Sequence, residues 1–231
     1  MYLLKIENWK LKILAYTNQM TKNKPTGVIG IDEVGRGPLA GPVTVCAVYL
    51  NDEIMAKELY FDNSIRDSKK LSLARRNNVY LIIRKNRKLN NIDYAVSNRS
   101  SKHIDKHGIN NSIHSCIVSC LIKLEKKGVK INHVKINLDG GLKIKMDNLD
   151  QSTHIRGDES YVHIALASII AKISRDKYMQ KVASKCKGYD FENNVGYGTK
   201  KHIIAIKKMG ITKYHRISYL SRIISIRKNL K

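Results

Sequence analysis

Acidic residues are scarce in this sequence. Of its 231 residues, 43 are Lys or Arg and only 19 are Asp or Glu, which gives a formal net charge of +24 at pH 7. Self-repulsion of that size opposes a compact chain unless a polyanion binds, and nucleic acid is the usual polyanionic partner. The imbalance is greatest at the end of the chain, where ten Lys or Arg and no acidic residue follow Glu192.

Long apolar runs are missing as well. The longest, such as residues 164–171, are far shorter than the ~20 residues that a membrane-spanning helix requires. Lys5, Glu7 and Lys10 interrupt any apolar core of a signal peptide. We therefore expect no membrane association and a cytoplasmic location.

The four cysteines include no Cys-x-x-Cys pair. Cys116 and Cys120 are four residues apart in an apolar helical pattern, which favours buried free thiols over a zinc site. His103 and His107 have the same spacing in a predicted helix, but the sequence offers no third ligand beside them. A zinc centre is therefore not expected.

Complete nucleotide-binding motifs are also absent. The Gly-x-Gly at 35–37 is followed by Gly41, one residue too late for the dinucleotide fingerprint, and Pro38 and Pro42 would interrupt the start of a helix. No Gly-Lys-Ser or Gly-Lys-Thr follows, so the segment is not a P-loop either.

Residues 27–43 organise the rest of the chain. An apolar run over 28–31 ends in two adjacent carboxylates, Asp32 and Glu33, and a Gly35-Arg36-Gly37 turn follows. An acidic pair at the end of a buried strand is costly unless a positive charge lies beside it, and Mg²⁺ is a cation that prefers carboxylate oxygens. The glycines leave backbone N–H groups accessible to a phosphate or a sugar.

Two adjacent residues of a regular strand face opposite ways, so Asp32 and Glu33 reach one site only if the strand ends or bulges at Glu33. The Val34-Gly35 pair is compatible with such an ending. An isolated Asp-Glu pair is more often the solvated start of a loop, and from these two residues alone that alternative stays open.

Hydrophobic periodicity predicts an α/β chain whose first two strands form an antiparallel hairpin. The predicted strands cover residues 28–33, 43–50, 92–97, 134–138 and 152–157. The predicted helices cover residues 72–88 and 102–128, a segment after Asp158, and two patterns in the basic tail at 203–209 and 217–226.

Three predicted strand ends carry carboxylates: Asp32 with Glu33, Asp139, and Asp158. In open α/β sheets, sites form outside the carboxyl ends of the strands. Acids gathered there repel each other unless cations neutralise them, and two divalent metals ~3.5–4 Å apart are the arrangement of many nucleases. The alternatives are a turn aspartate for Asp139, which precedes two glycines, and a helix N-cap for Asp158.

These motifs together resemble the ribonuclease HII family, the type 2 ribonucleases H, over roughly residues 27–220. The matching strings are Asp-Glu-Val-Gly-Arg-Gly-Pro-Leu-Ala-Gly-Pro at 32–42, Asp-Ser-Lys-Lys-Leu-Ser at 67–72, Leu-Asp-Gly at 138–140, Gly-Asp at 157–158, Ala-Ser-Ile-Ile-Ala-Lys at 167–172 with Arg-Asp at 175–176, and Gly-Tyr-Gly-Thr-Lys-Lys-His at 196–202 with His-Arg at 215–216.

The resemblance implies a ribonuclease H-like α/β fold, a mixed five-stranded sheet flanked by helices with a basic helical C-terminal region. It divides the chain into an N-terminal extension with a weak helical pattern (1–26), a ribonuclease H-like catalytic domain (27–186) and a basic helical region packed on the same domain (187–231).

The resemblance also assigns the site residues. The catalytic carboxylates, which would bind two divalent cations, Mn²⁺ or Mg²⁺, are Asp32, Glu33, Asp139 and Asp158. The substrate-binding residues are the turn that recognises the 2′-hydroxyl, the tyrosine that packs on the sugar and two lysines for phosphate, namely Gly35, Arg36, Gly37, Tyr197, Lys69 and Lys70. A solvated loop is the alternative for the two lysines, and an i, i+4 ion pair is the alternative for Lys172 and Asp176.

The implied reaction is endonucleolytic hydrolysis of the RNA strand of RNA–DNA hybrids and of single ribonucleotides embedded in duplex DNA. Cleavage is expected 5′ to the ribonucleotide and leaves 5′-phosphate and 3′-hydroxyl ends. We expect a monomer whose partner is the hybrid or the ribonucleotide-containing duplex; the sequence does not show whether a replication clamp binds.

Two alternatives remain beside this interpretation. A ribonuclease HIII-like enzyme would carry an extra N-terminal substrate-binding domain, for which the 26 residues before Gly27 leave no room. A non-catalytic, basic nucleic-acid-binding module would have no reason to place four acids beside a phosphate path.

Overall fold

The computed structural model describes residues 27–51, 74, 78–81, 83, 92–146 and 149–224. The predicted N-terminal extension at 1–26, most of the predicted helix at 72–88, and Lys69 and Lys70 lie outside the described residues.

Five strands form one mixed sheet, as the sequence predicts, in the order β3-β2-β1-β4-β5. The hairpin of β1 and β2 is antiparallel, β3 is antiparallel to β2, and β4 and β5 continue parallel to β1. The strands are β1 Gly27–Val34, β2 Val43–Asn51, β3 Ile92–Arg99, β4 Lys135–Asp139 and β5 Gln151–His154.

The helices lie on both faces of this sheet and at its end. They are α1 Ser101–His107, α2 Ile109–Glu125, α3 Gly157–Ser160, α4 Val162–Lys185, α5 Phe191–Asn194, α6 Lys200–Met209 and α7 Ser221–Ile224. Single 3₁₀ turns lie at Ile131–His133 and Ile217–Tyr219.

The prediction of one continuous helix over 102–128 is wrong, because the chain breaks at Gly108. This glycine has a positive φ of 77°, which ends α1, and its N–H donates to the carbonyl of Ile104 at 2.8 Å. The same residue then precedes α2. The glycine inside the helical pattern was the sequence signal for this break, because glycine adopts a left-handed backbone conformation more readily than other residues.

The tail differs in a similar way. The helix predicted at 203–209 is present as α6, which Thr199 caps by accepting from the N–H of His202. The single helix predicted from 217 onward is instead a 3₁₀ turn followed by α7 within the described residues.

The central strand β1 is covered on both faces, because successive side chains of its apolar run point to opposite sides of the sheet. Ile29 and Ile31 pack in the cluster that contains Ile117 and Leu121 of α2. Val28 packs on the other face with residues of α4. Helix α4 lies directly on the strand at Gly30, where an added Cβ would lie 2.3 Å from the main chain of His163.

A third cluster joins the C-terminal part of α4 to the segments that follow it. It contains Met179, Phe191, Ile206 and Leu220, together with Ala40 from the loop between β1 and β2. The loop after β1 therefore packs against residues from the far end of the chain. The division of the chain at residue 186 stays a prediction.

Cys46, Cys116 and Cys120 are buried and all four cysteines are free thiols, as expected. None of the described helices is long and apolar enough to cross a membrane.

Candidate active site

Carboxylates from two adjacent parallel strands meet at a cavity of about 420 Å³ at the carboxyl end of the sheet. Ile31 pairs with Leu138 across β1 and β4, so the next residues along the two strands are Asp32 and Asp139. Both line the cavity, and Glu33 lines it as well. Parallel pairing thus brings together acids that are more than a hundred positions apart in the sequence.

The expectation that the strand ends or bulges at Glu33 is wrong. The pairing of β1 with β2 continues regularly through Asp32, Glu33 and Val34. Asp32 lies on the α4 side, where Ser168 hydrogen-bonds its carboxylate. Glu33 lies on the other side of the strand and pairs with Arg36 at 3.1 Å. Both side chains reach the cavity because it lies around the end of the strand.

The acids disfavour one another's charge. Asp32 is only 4% exposed, and burial, followed by the charge of Glu33, raises its pKa well above the ordinary value, with Asp139 adding to the rise. Burial also raises the pKa of Glu33, against the opposing effect of Arg36, and Asp139 again raises it. The three carboxylates are therefore close enough to interact electrostatically.

Asp158 lies next to this group but not on the cavity wall. The N–H of Gly157 donates to Oδ1 of Asp139 at 2.7 Å, which places the start of α3 beside the end of β4. Asp158 follows, is 1% exposed, and is not among the residues that line the cavity. The alternative role of helix N-cap does not apply to Asp158, because that position belongs to Arg156 in a left-handed conformation.

The acidic side chains at the cavity fit a divalent cation both in the type of their donor atoms and in their position. Asp32, Glu33 and Asp139 offer hard carboxylate oxygens on one cavity, and their mutual repulsion is what a cation relieves. Within the part of the chain that the structure describes, no three acidic, histidine or cysteine side chains already stand close enough to hold one ion. Glu33 is bound to Arg36 through Oε1, at 3.1 Å.

The Gly35-Arg36-Gly37 turn lines the same cavity. Arg216 donates to the carbonyls of Gly35 at 2.6 Å and Arg36 at 2.8 Å. In a trans peptide the N–H points opposite to the carbonyl, so the N–H groups of Arg36 and Gly37 point away from Arg216. Arg36 and Gly37 are exposed and line the cavity, so their amides are the candidate donors of this turn.

Two buried arginines hold the loop that follows the turn. Arg175 and Arg216 are both 0% exposed, and neither forms an ion pair with a carboxylate among the described residues. They donate instead to main-chain carbonyls of Ala40, Gly41 and Pro42, at 3.0–3.2 Å. Burial lowers the pKa of Arg175 to about 10, so it stays charged at neutral pH. Sequence reasoning quoted both arginines within motifs but gave them no role.

The opposite wall of the cavity is Tyr197, a residue that is 44% exposed. A Cβ added to Gly37 would lie 4.0 Å from Cε1 of this ring, so turn and ring face each other. Lys172 of α4 also lines the cavity, and its Nζ lies 2.9 Å from Asp176 in the predicted i, i+4 ion pair.

Arg36 lies at the mouth of the cavity with about half of its side chain exposed. Besides Glu33, it contacts Asn110 of α2, whose Oδ1 accepts from Nη2 at 2.9 Å. Sequence reasoning missed Asn110, which lies in a helix whose apolar pattern gives no sign of a site. Ser168 belongs to the motif at 167–172, but no role was predicted for it.

The model of the family described as ribonuclease HII matches residues 29–222. A ribonuclease HII of Prochlorococcus marinus is 38% identical over 194 residues, covering 84% of this chain and 96% of the relative. Among solved structures, the Archaeoglobus fulgidus protein in a PCNA:RNase HII complex superposes with a TM-score of 0.65 at 24% identity, covering 84% of this chain and 95% of that one.

The structure of Bst-RNase HIII in complex with Mn²⁺ superposes with the same TM-score, 0.65, at 18% identity, and covers 90% of this chain and 72% of that one. These two structures show the ribonuclease H-like fold, while the family model and the relatives at higher identity separate this chain from other proteins with that fold. The chain belongs to the ribonuclease HII family, and ribonuclease H activity on RNA–DNA hybrids follows from that membership.

Proposed function

We propose that this protein is an endoribonuclease that cuts RNA–DNA hybrids and also single ribonucleotides embedded in duplex DNA. Cleavage on the 5′ side of the ribonucleotide would leave 5′-phosphate and 3′-hydroxyl ends. The observation that carries the proposal is one cavity with three carboxylates on one side and the Gly35–Gly37 turn facing Tyr197 on the other.

The carboxylates would hold two divalent cations, Mg²⁺ or Mn²⁺, with Asp158 completing the set of Asp32, Glu33 and Asp139. The chemistry gained from the bound cations is activation of the attacking water and stabilisation of the leaving 3′ oxygen. Asp32 would serve in its ionised form, which the cations favour over the protonated form that burial favours.

The remaining residues bind and orient the substrate. A ribonucleotide differs from a deoxyribonucleotide in its 2′-hydroxyl, and the N–H groups of Arg36 and Gly37 are donors that such a hydroxyl can accept from. The guanidinium of Arg36 would pair with a backbone phosphate once Glu33 turns to a cation. Tyr197 would place its ring against the sugar beside the cleaved bond.

The net charge of +24 supports a duplex substrate, because phosphate neutralisation supplies most of the sequence-independent affinity for nucleic acid. We propose that Lys69 and Lys70 contribute to that affinity, and that the protein acts as a monomer in the cytoplasm. The Archaeoglobus fulgidus relative was solved with PCNA, and a sliding clamp is therefore a candidate partner for this chain too.

A gel assay on a DNA duplex that contains one ribonucleotide tests the proposal. We expect a single cut 5′ to the ribonucleotide when Mg²⁺ or Mn²⁺ is present, none with a chelator, and none in the matched all-DNA duplex. Asp32→Asn should bind the duplex without cutting it. Binding without cleavage by the wild-type protein at any metal concentration would instead identify a non-catalytic binding module.

A further inference from the structure

Two buried histidines touch each other behind the tyrosine wall of the cavity. His202 of α6 is 0% exposed and His215 is 2% exposed, and their Nε2 atoms are 3.0 Å apart. Neither residue lines the cavity. The rings of Tyr189 and Phe191 surround the pair, with centroids 5.1–6.4 Å from the histidine rings.

The contacts at the two ends of the pair fix the positions of its hydrogens. Nδ1 of His202 lies 2.8 Å from the carbonyl oxygen of Tyr197, which only accepts, so Nδ1 carries a hydrogen. At the other end, the N–H of Thr212 donates to Nδ1 of His215 at 2.9 Å, so that nitrogen carries none. With both rings neutral, Nε2 of His215 is then the donor and Nε2 of His202 the acceptor. All three hydrogen bonds run in one direction, from Thr212 to the tyrosine carbonyl.

This chain of hydrogen bonds connects the two walls of the cavity through His215 and Tyr197. His215 precedes Arg216, which holds the carbonyls of Gly35 and Arg36, and it forms a β-bridge with Ala40. The other end is the main chain of Tyr197, which also accepts from the N–H of Thr199 at 2.9 Å. One short segment thus contacts the turn directly and the tyrosine through His202.

We propose that His202, oriented by His215, is a positioning residue that fixes the main chain of Tyr197 opposite the Gly35–Gly37 turn and so sets the width of the ribose-binding end of the cavity. The inference rests on the proposed function, because it assigns the ribose to the end of the cavity that the turn and the ring border.

The loop around Tyr197 needs such a hold because its backbone is unfavourable on its own. Val195 has a φ of 42° and Gly196 one of 91°. A non-glycine residue in the left-handed region is uncommon and persists where surrounding contacts impose it. Gly196 also has no room for a side chain, since an added Cβ would lie 2.3 Å from the carbonyl oxygen of Ala40. The next residue is Tyr197. A hydrogen bond donated to its carbonyl by Nδ1 of His202 restrains the main chain directly after this tightly packed glycine.

Two substitutions at His202 separate this role from packing. In His202→Asn the amide nitrogen takes the place of Nδ1 and still donates to Tyr197, while the contact with His215 is lost. In His202→Gln the amide takes the place of Nε2 and keeps His215, while the donor to Tyr197 is lost. Each variant removes one hydrogen bond and part of a buried ring, so their thermal stabilities serve as the matched control.

The measurement is the ratio of dissociation constants for the all-DNA duplex and the duplex with one ribonucleotide, determined by fluorescence anisotropy in a chelator so that nothing is cut. We expect the ratio for His202→Asn to stay close to that of the wild type and the ratio for His202→Gln to fall about tenfold. The two variants should unfold at similar midpoints. Equal ratios in the two variants, whether both high or both low, overturn the assignment. A wild-type protein that neither prefers nor cuts the ribonucleotide would refute the proposed function itself.

Discussion

A methyl group at Gly37 should damage ribonucleotide recognition without damaging the fold. An added Cβ meets only Cε1 of Tyr197, at 4.0 Å, which is ordinary van der Waals contact. Gly37 is also not among the glycines with a positive φ. Gly37→Ala should therefore change the free energy of unfolding by no more than about 0.5 kcal/mol.

The effect on binding should be larger, because the methyl group would project from the turn toward the ring, at the end of the cavity where we place the ribose. Displacing the sugar enough to lose one hydrogen bond from a backbone N–H to the 2′-hydroxyl costs about 1–1.5 kcal/mol, or about tenfold in affinity. A larger side chain, in Gly37→Val, should weaken binding of the ribonucleotide duplex further, while the affinity for all-DNA duplex stays near that of the wild type.

Gly35→Ala is the matched control for stability, because a methyl group at this position should damage the fold. Gly35 has a φ of 90°, and an added Cβ would lie 2.3 Å from Nε of Arg175 and 2.8 Å from the carbonyl of Pro42. The left-handed backbone costs roughly 1–2 kcal/mol for a residue with a side chain, and the overlap with a fixed guanidinium and main chain adds about as much again. We expect a loss of about 2–4 kcal/mol in the free energy of unfolding.

Chemical denaturation gives the stabilities, and anisotropy with the two duplexes gives the ratio of affinities. Wild-type discrimination in Gly37→Ala and Gly37→Val, in proteins shown to be folded, would mean that the ribose does not lie between the turn and Tyr197. Equal destabilisation of the Gly35 and Gly37 variants would contradict the packing described for the turn.

Three further predictions concern the buried charges. Mg²⁺ or Mn²⁺ should raise the thermal midpoint of the wild-type protein but not that of Asp32→Asn, because only the intact acid set gains from a cation; an equal rise in both would place the metal elsewhere. Arg216→Met should cost about 3 kcal/mol of folding free energy, since several buried carbonyls lose their donor, and urea denaturation checks the value against Arg216→Lys, which retains some of the contacts. His163 is buried with its pKa lowered to about 4, so its neutral form stabilises the fold above pH 6.5 and this contribution, up to about 3 kcal/mol, is lost as the pH falls from 6.5 to 4; His163→Gln should show a flatter stability profile over that range, and a profile as steep as that of the wild type would rule His163 out as its source.

Much of the sheet could be predicted because side chains along a strand point alternately to its two faces. In β1 an unbroken apolar run lets Ile29 and Ile31 face one apolar cluster and Val28 the other, which is typical of a strand buried on both faces. The break at Gly108 was less visible, because the apolar pattern continues across it and only the backbone angle shows the interruption. The hydrophobic pattern of a sequence indicates which face of a helix is buried, whereas a positive φ depends on local main-chain contacts.

The site was predictable in its residue types and less so in its geometry. Regular pairing puts Asp32 and Glu33 on opposite sides of β1, and no sequence pattern indicates that a cavity at the strand end is open to both. Asp158 lies beside Asp139 through Gly157 rather than on the cavity wall. The role of Arg175 was hidden for a different reason, since an arginine bonded to main-chain carbonyls has no acidic partner whose position in the sequence would reveal it.

The hold that Arg216 has on the turn also orders events during synthesis of the protein. Its contacts with Gly41 and Gly35 span 175 and 181 residues of chain. A nascent polypeptide that extends only as far as α4 already possesses every proposed metal ligand as well as Arg175, yet the carbonyls of Gly35 and Arg36 still lack the donor that Arg216 supplies. Under the proposed assignments, the acids of the site and the support of the turn that faces them are therefore synthesised at different times, and the second must wait for Arg216.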